Sequence, residues 1–413
     1  PLDLDNISSD GSIFENGDFQ ALAFPISAAL YLAIAAAHAA VEVRKADGPL
    51  RTIAGPLPHP SGPGLPGGAK RLRIGYMSTD LGDHPVGHQA WFWAHNDARF
   101  QVVIFALNWD DGSFWWTNCS RMVAPGDFLA LGKPGRDVTP VGLAQAVNSR
   151  QIHVLITLNG WTSGNQVDTM ALRPAPIQVE YMGSHDSLGS MVVADLFVTD
   201  RIATPADFAD YFAERLLVVP PSFFINEYAH SRAHVPAAAD ALFEGHSDMA
   251  PPPKSSGVPP EVAAVQNRGG VVACNFNQLF KLDPPTLRGW LRLLRRVPDA
   301  AMWLLQLPAS AEARLRIFAR EDDLASASAS PRRDRASGRG RGGRGLHASA
   351  SPQEGAEGRV GFSGRVGWQD HLVLKARANL SLDSPVFNSH TSGVDMLWAG
   401  VPMLTLPGET MSS

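Results

Sequence analysis

Near the end of the chain, Asn388 to Gly400 read NSHTSGVDMLWAG. A small, hydroxyl-rich turn that opens a helix offers backbone N–H groups and the positive end of a helix dipole, which is how proteins hold phosphate oxygens. His390, Thr391 and Ser392 are the candidate pyrophosphate contacts, and Asp395, one turn further in, is placed to accept hydrogen bonds from a ribose hydroxyl. The same Ser and Thr would also serve as ordinary helix caps. A second constellation is CNFNQLFKLDPPTL, Cys274 to Leu287, where a buried strand ends in Asn275, Asn277, Gln278 and Lys281 ahead of a Pro-started helix. A lysine at a strand-to-helix junction can neutralise charge that builds on a departing diphosphate, so Lys281 is the leading catalytic candidate. Taken alone it would be read as a surface lysine in a loop.

A third group follows the run RLRIGYM, where STDLGDHPVGH carries Asp83, His84 and His88. His84, fixed by Pro85 behind it, can meet a sugar or acceptor hydroxyl. His153 opens the run HVLITLNGWTSG, whose far end delivers Asn159, Gly160 and Thr162 to the same sheet edge. A purely structural role is the alternative for each histidine, and position favours His84 over His153.

These motifs need sheets to carry them. The runs RLRIGYM, QVVIFAL, IHVLITL, IQVEYM, DLFVTD and LLVVP are continuously apolar rather than alternating, the pattern of strands buried on both faces of a parallel sheet. A second series, VVACNF, AMWLLQL, RVGFSG, ANLSLD and PMLTL, repeats the pattern with helices between. The fold class expected is therefore α/β, with two Rossmann-like doubly wound domains and a cleft between them. The domains are expected at residues 71–228 and 271–413, joined by a Pro/Ala/Ser-rich connection at 229–270. Ahead of them, Gly/Pro-rich residues 46–70 read as a linker and residues 1–45 as a helical segment. Ala21 to Val41 is nearly uncharged, but its alanines and Pro25 suit a soluble helix capped by Ser27, with Leu30, Ile34 and Val41 near one face, better than a membrane span. Residues 324–358 are too polar and Gly-rich to pack and read as a disordered insertion. Its RGRGGRG core could touch RNA, although a solvated loop is the plainer reading.

The 413 residues suit two domains, and 35 basic against 40 acidic side chains leave a charge of −5, which argues for neither nucleic acid nor membrane. Cys119 and Cys274 are the only cysteines, in no metal-ligand spacing, so no disulfide framework or zinc site is expected and a reducing compartment, cytoplasm or nucleus, fits. The chain begins at Pro1 and stops just after an apolar run, the expectation being a piece of a longer protein.

Read together and in order, RLRIGYMSTDLGDHPVGH, ALRPAPIQVEYMG, CNFNQLFKLDP and LDSPVFNSHTSGVDMLWAGVPMLTLPGET resemble the catalytic region of the O-linked N-acetylglucosamine transferases, the SECRET AGENT/SPINDLY-type protein O-glycosyltransferases. The likeness runs over roughly Arg71 to Phe224 and Val271 to Thr410. It implies a GT-B fold, UDP-GlcNAc as donor substrate with neither cofactor nor metal, and inverting transfer to Ser or Thr of intracellular proteins. By motif match, Lys281 would stabilise the UDP leaving group, His390, Thr391 and Ser392 would hold the phosphates, and Asp395 would bind the ribose. Gln278 would lie near the diphosphate, His371 beside the uracil, and His84 on the sugar and acceptor side. The resemblance also implies a tetratricopeptide array ahead of the linker and further sequence after PGET. Departures fall at Trp368 and Leu374, where the family carries basic residues, at GSHDSLG (Gly183 to Gly189) in place of GYPGTSG, at Gln306, and at Arg150 in place of an acidic residue. The alternatives are a GDP-fucose-dependent protein O-fucosyltransferase or a UDP-sugar-binding protein without catalysis.

Overall fold

The computed structural model of the chain describes residues 21–60, 71–89, 95, 98–226, 228, 257–329 and 355–413. The chain divides into two compact units, Pro1–Arg232 with Gly408–Ser413, and Ala233–Pro407.

The first unit is built on seven parallel strands: β1 (Leu72–Ser78), β2 (Phe100–Ala106), β3 (Phe128–Ala130), β4 (Val154–Thr157), β5 (Ile177–Glu180), β6 (Leu196–Thr199) and β7 (Arg215–Val218). Their order is β3-β2-β1-β4-β5-β6-β7. The chain winds outward in both directions from the β1/β4 pair, where Ile74 stands opposite Val154 and Met77 opposite Thr157. The loops leaving the carboxyl ends of these two strands therefore flank a topological switch point, the usual seat of ligands in such sheets. Met77, Val103, Phe105 and Leu155 are buried on one face of the sheet and Tyr76 and Ile104 on the other, as continuously apolar strands require.

The second unit repeats the plan with β8 (Val271–Asn275), β9 (Ala300–Leu305), β10 (Val360–Ser363), β11 (Leu380–Leu382) and β12 (Met403–Leu404), in the order β10-β9-β8-β11-β12. Here the switch lies between β8 and β11, with Leu380 opposite Ala273. Both sheets are parallel throughout, and the expected α/β class with two Rossmann-like domains is what the chain adopts.

Helix α1 (Ala28–Lys45) starts at Ser27, whose Oγ accepts from Leu30 N at 3.3 Å. It buries Ala28, Tyr31, Ile34, Ala35 and Ala39, so the packed face is turned from the Leu30/Val41 line towards the alanines. Among the described residues no helix is long and apolar enough to cross a membrane.

Four boundaries differ from expectation. The chain after α1 is not a bare linker: it turns through Ala46–Leu50 into α2 (Arg51–Ala54), burying Ala46 and Ala54 with Val141 and Ala144 of α3 (Pro140–Ser149). Asn148 Nδ2 then holds Pro58 O at 3.2 Å. Within the expected connection, α4 (Pro260–Asn267) is part of the second unit, because Val262 and Val265 share one helix face and are fully buried. The expected insertion is ordered at both edges. Helix α5 (Ala309–Ala329) runs six residues into it, and on the far side Glu357 N donates to Asp323 Oδ2 at 2.9 Å. The last six residues join the first unit, where Met411 packs with Phe197 and Phe223. Residues 61–70, 229–230, 231–256 and 330–354, the last carrying RGRGGRG, lie outside the described residues.

Candidate functional site

In the second unit the two motifs meet at the switch point. Strand β8 ends at Asn275, whose Nδ2 donates to Leu382 O of β11 at 2.7 Å and ties the two strand ends together. Asn277, buried, is the hub beyond them. Its Nδ2 donates to Ser384 Oγ at 3.0 Å and Ser389 Oγ at 2.8 Å, and its Oδ1 accepts from Ser392 Oγ at 2.5 Å. Asp383 holds the same loop from below. Its Oδ1 accepts from the backbone N of Ser384 (2.9 Å) and Ser389 (2.7 Å) and from Ser389 Oγ (2.8 Å), and its Oδ2 from Thr405 Oγ1 (2.9 Å). The Asn277 amide oxygen and both Asp383 carboxylate oxygens each have a donor, so the loop is tied at several points where it enters helix α6 (Thr391–Trp398).

Lys281 closes the short turn Leu279–Lys281 that follows, with its N–H on Gln278 O at 3.0 Å and the Gln278 side chain exposed. The ammonium donates to Asn388 O at 3.0 Å and stands 3.7 Å from the centre of the Phe387 ring. Burial pushes its pKa down to about 7, against the upward pull of the Asp383 carboxylate. An amine this poorly compensated gains from any anion brought beside it. His390 is the residue before the helix, packed edge-on to Phe387 with ring centres 5.8 Å apart, and Thr391 and Ser392 are the first two helical residues. Lys281, His390, Thr391 and Ser392 thus share one corner of the second unit.

Asp395 and His371 are brought together a turn deeper. Helix α7 (Trp368–Lys375) lies against α6 and sends two side chains, one turn apart, to the same carboxylate oxygen. Lys375 Nζ is 2.5 Å and His371 Nε2 3.2 Å from Asp395 Oδ2. Burial alone would raise the Asp395 carboxyl, but the Lys375 ammonium and then the His371 ring outweigh it and hold the group well below the usual carboxylate range. Leu374, on the same helix, packs into the hydrophobic core with Val262 and Trp303, which accounts for an apolar residue there.

The first unit carries the remaining candidates. His84 caps the short helix Pro85–His88, its Nδ1 accepting from Val86 N at 3.4 Å, with Asp80 Oδ1 4.0 Å away and about half its side chain exposed. His88 is occupied structurally: Nε2 is 2.9 Å from Asp83 Oδ1 and the ring lies 4.4 Å from Trp115. His153 sits at the entrance of β4, the opposite edge from His84, where its Nδ1 accepts from Arg73 N at 3.2 Å. Asn159 joins the two switch-point loops, accepting from Thr79 N at 2.9 Å and donating to Asp80 Oδ2 at 2.7 Å. Behind it, the Gly183–Gly189 loop is fastened by buried carboxyls. Glu180 Oε1 accepts from Ser184 N at 2.6 Å, and Glu214 accepts from Ser187 Oγ at 2.8 Å and Leu188 N at 2.9 Å. Burial pushes the Glu180 and Asp186 carboxyls up to about 8 and about 7. Among the described residues no cluster of three or more His, Cys, Asp or Glu side chains could hold a metal ion.

Residues 17–250, 264–329 and 340–413 match the sequence pattern of glycosyl transferase family 41. The chain belongs to that family. It is 33% identical over 406 residues to the Arabidopsis thaliana "Probable UDP-N-acetylglucosamine--peptide N-acetylglucosaminyltransferase SEC", covering 96% of this chain and 35% of the plant protein. It is 27% identical over 485 residues to the Caenorhabditis elegans UDP-N-acetylglucosamine--peptide N-acetylglucosaminyltransferase, covering 94% and 38%. The family 41 chain therefore spans little more than a third of the length of these curated relatives. Among solved structures, a mutant of the Thermobaculum terrenum O-GlcNAc transferase superposes with a TM-score of 0.60 at 22% identity, over 95% of this chain and 64% of that one, and so shares its fold.

Three residues that hold these networks were not singled out from sequence: Asp383 and Lys375 in the second unit and Glu180 in the first. Lys375 follows His371 at i+4, a spacing that puts both on one helix face. Its partner Asp395 is 20 residues away, and nothing in the sequence pairs them.

Proposed function

We propose that this chain is the catalytic region of a protein O-GlcNAc transferase, which moves GlcNAc from UDP-GlcNAc to Ser or Thr hydroxyls with inversion and without a metal ion. The observation that carries the reading is the corner where the Lys281 ammonium and the N-terminus of α6 meet on one polar network. A diphosphate seated there would be met by backbone N–H groups at Thr391 and Ser392, with His390 beside them. Lys281, short of compensating charge, would gain most when the leaving group becomes a full anion, which is selective stabilisation of the transition state. Gln278 would flank the diphosphate, Asp395 would take the ribose and His371 the uracil. His84, half-exposed on the first unit's carboxyl edge, is the candidate for the sugar and acceptor hydroxyls. The acceptors would be intracellular proteins, and a chain with only two cysteines, both buried, suits a cytoplasmic or nuclear setting.

The test is transfer of labelled GlcNAc from UDP-GlcNAc to a Ser-containing peptide by the full-length protein. Transfer is expected, and Lys281→Met should reduce it at least about a thousandfold, the scale of losing a principal transition-state contact. A protein that binds UDP but transfers nothing would support a second reading, binding without catalysis. That reading is favoured by the engagement of the Lys281 amine with Asn388 O and the Phe387 ring. GDP-fucose in place of UDP-GlcNAc tests the donor.

A further inference from the structure

The ribose acceptor proposed above, Asp395, is a buried carboxylate, and burying a charge is costly unless a partner compensates. Two side chains of α7 do so from one direction: Lys375 at 2.5 Å, itself buried, and His371 at 3.2 Å. Two further described neighbours of the ammonium bring it no competing charge. The Phe276 ring centre is 6.0 Å away, and burial keeps the Cys274 thiol on β8 neutral. Lys375 and His371 sit one helical turn apart, so the position of Asp395 Oδ2 fixes where the His371 ring stands.

We propose that Lys375 is a positioning residue for the nucleotide: by neutralising Asp395 and locking it against His371, it sets how tightly the nucleoside end of the donor is held. This rests on the function proposed above. Lys375 acts through Asp395, so its removal should cost affinity rather than turnover. Its effect should vanish once Asp395 can no longer carry a charge.

The experiment is calorimetric binding of UDP, with donor kinetics, for the wild type, Lys375→Met, Asp395→Asn, the double variant and Lys375→Arg. Lys375→Met should weaken UDP binding about tenfold and raise the donor KM by a similar factor, with kcat changed less than about threefold. Lys375→Arg should return to within about threefold of the wild type, since it restores the cation. The double variant should bind no more weakly than Asp395→Asn alone. Lys375→Met within about twofold of the wild type, or losses that multiply in the double variant, would overturn the proposal. If Lys375→Met does not fold, the comparison of the double variant with Asp395→Asn decides: equal affinity supports the proposal, and about a tenfold further loss rejects it. A wild type that does not bind UDP would overturn the function proposed above and this inference with it; a wild type that binds, with Lys375→Met its equal, would overturn this inference alone.

Discussion

At pH 8 most copies of Lys281 carry no proton, because burial has brought its amine to about 7. A diphosphate arriving beside it would reverse that preference, so UDP binding near pH 8 should take up a proton. Calorimetry in buffers of different ionisation enthalpy should give different apparent binding heats, and affinity should weaken from about pH 6 to about pH 9 as the amine must first be charged. Buffer-independent heats would mean that the ammonium is already charged or stands apart from the phosphates. Lys281 was legible in sequence because a polar residue at the end of a buried strand can face only a loop edge. Lys375 was not. In sequence it is a basic residue in the last turn of a helix, where cations are ordinary, and only the packing of α7 on α6 turns it inward.

The loop from Asp383 to Ser392 is one element held by another, since Asn277 is the shared partner of Ser384, Ser389 and Ser392. Asn277→Ala would leave those hydroxyls without their buried partner, at a cost of about 1–3 kcal/mol, and the loop's amide hydrogen exchange should rise. Unchanged exchange would show that Asp383 holds the loop alone. In the first unit, Gly189 has a φ of +82°, and a Cβ there would come within 2.3 Å of the Ala35 carbonyl carbon and the Ala36 nitrogen of α1. Gly189→Ala should therefore cost more than the roughly 1 kcal/mol of an ordinary left-handed glycine, read as a lower Tm. Most strands could be found in advance because runs such as VVIFA have no polar face to show. Strand β3 could not, since Phe128–Ala130 is three residues at the sheet edge with Asp127 before it and Ala130 exposed. The helix α4 escaped notice because only Val262 and Val265 mark its face, after a Pro-rich approach.

Taken whole, the chain joins two units whose buried charges answer pH in opposite ways. In the first, Glu180 and Asp186 have folded pKa values above their unfolded ones, at about 8 and about 7. Their stabilising effect is full in acid and is lost as pH rises through those values. Asp111 and Asp200, where hydrogen bonds overcome a burial cost, and Asp137, held low by the Lys133 N–H, act the other way, Asp111 and Asp137 from exposed sites and Asp200 from a buried one. In the second unit, Asp395 is held low, so its contribution is lost as pH falls, and charged Lys281 is a burden that lifts as pH rises past about 7. Scanning calorimetry at about pH 5.5 and about pH 8.5 should therefore resolve two transitions, the first unit's moving down and the second's up. A common shift in one direction would show that the buried groups of one unit do not govern its stability.

The contact of Gly189 with α1 is main chain against main chain, with no side chain between to bend or change rotamer. Anything that tugs on the outer surface of α1 would pull directly on the Gly183–Gly189 turn, and through Ser187 and Leu188 on Glu214. That helix is a stiff handle on the first sheet.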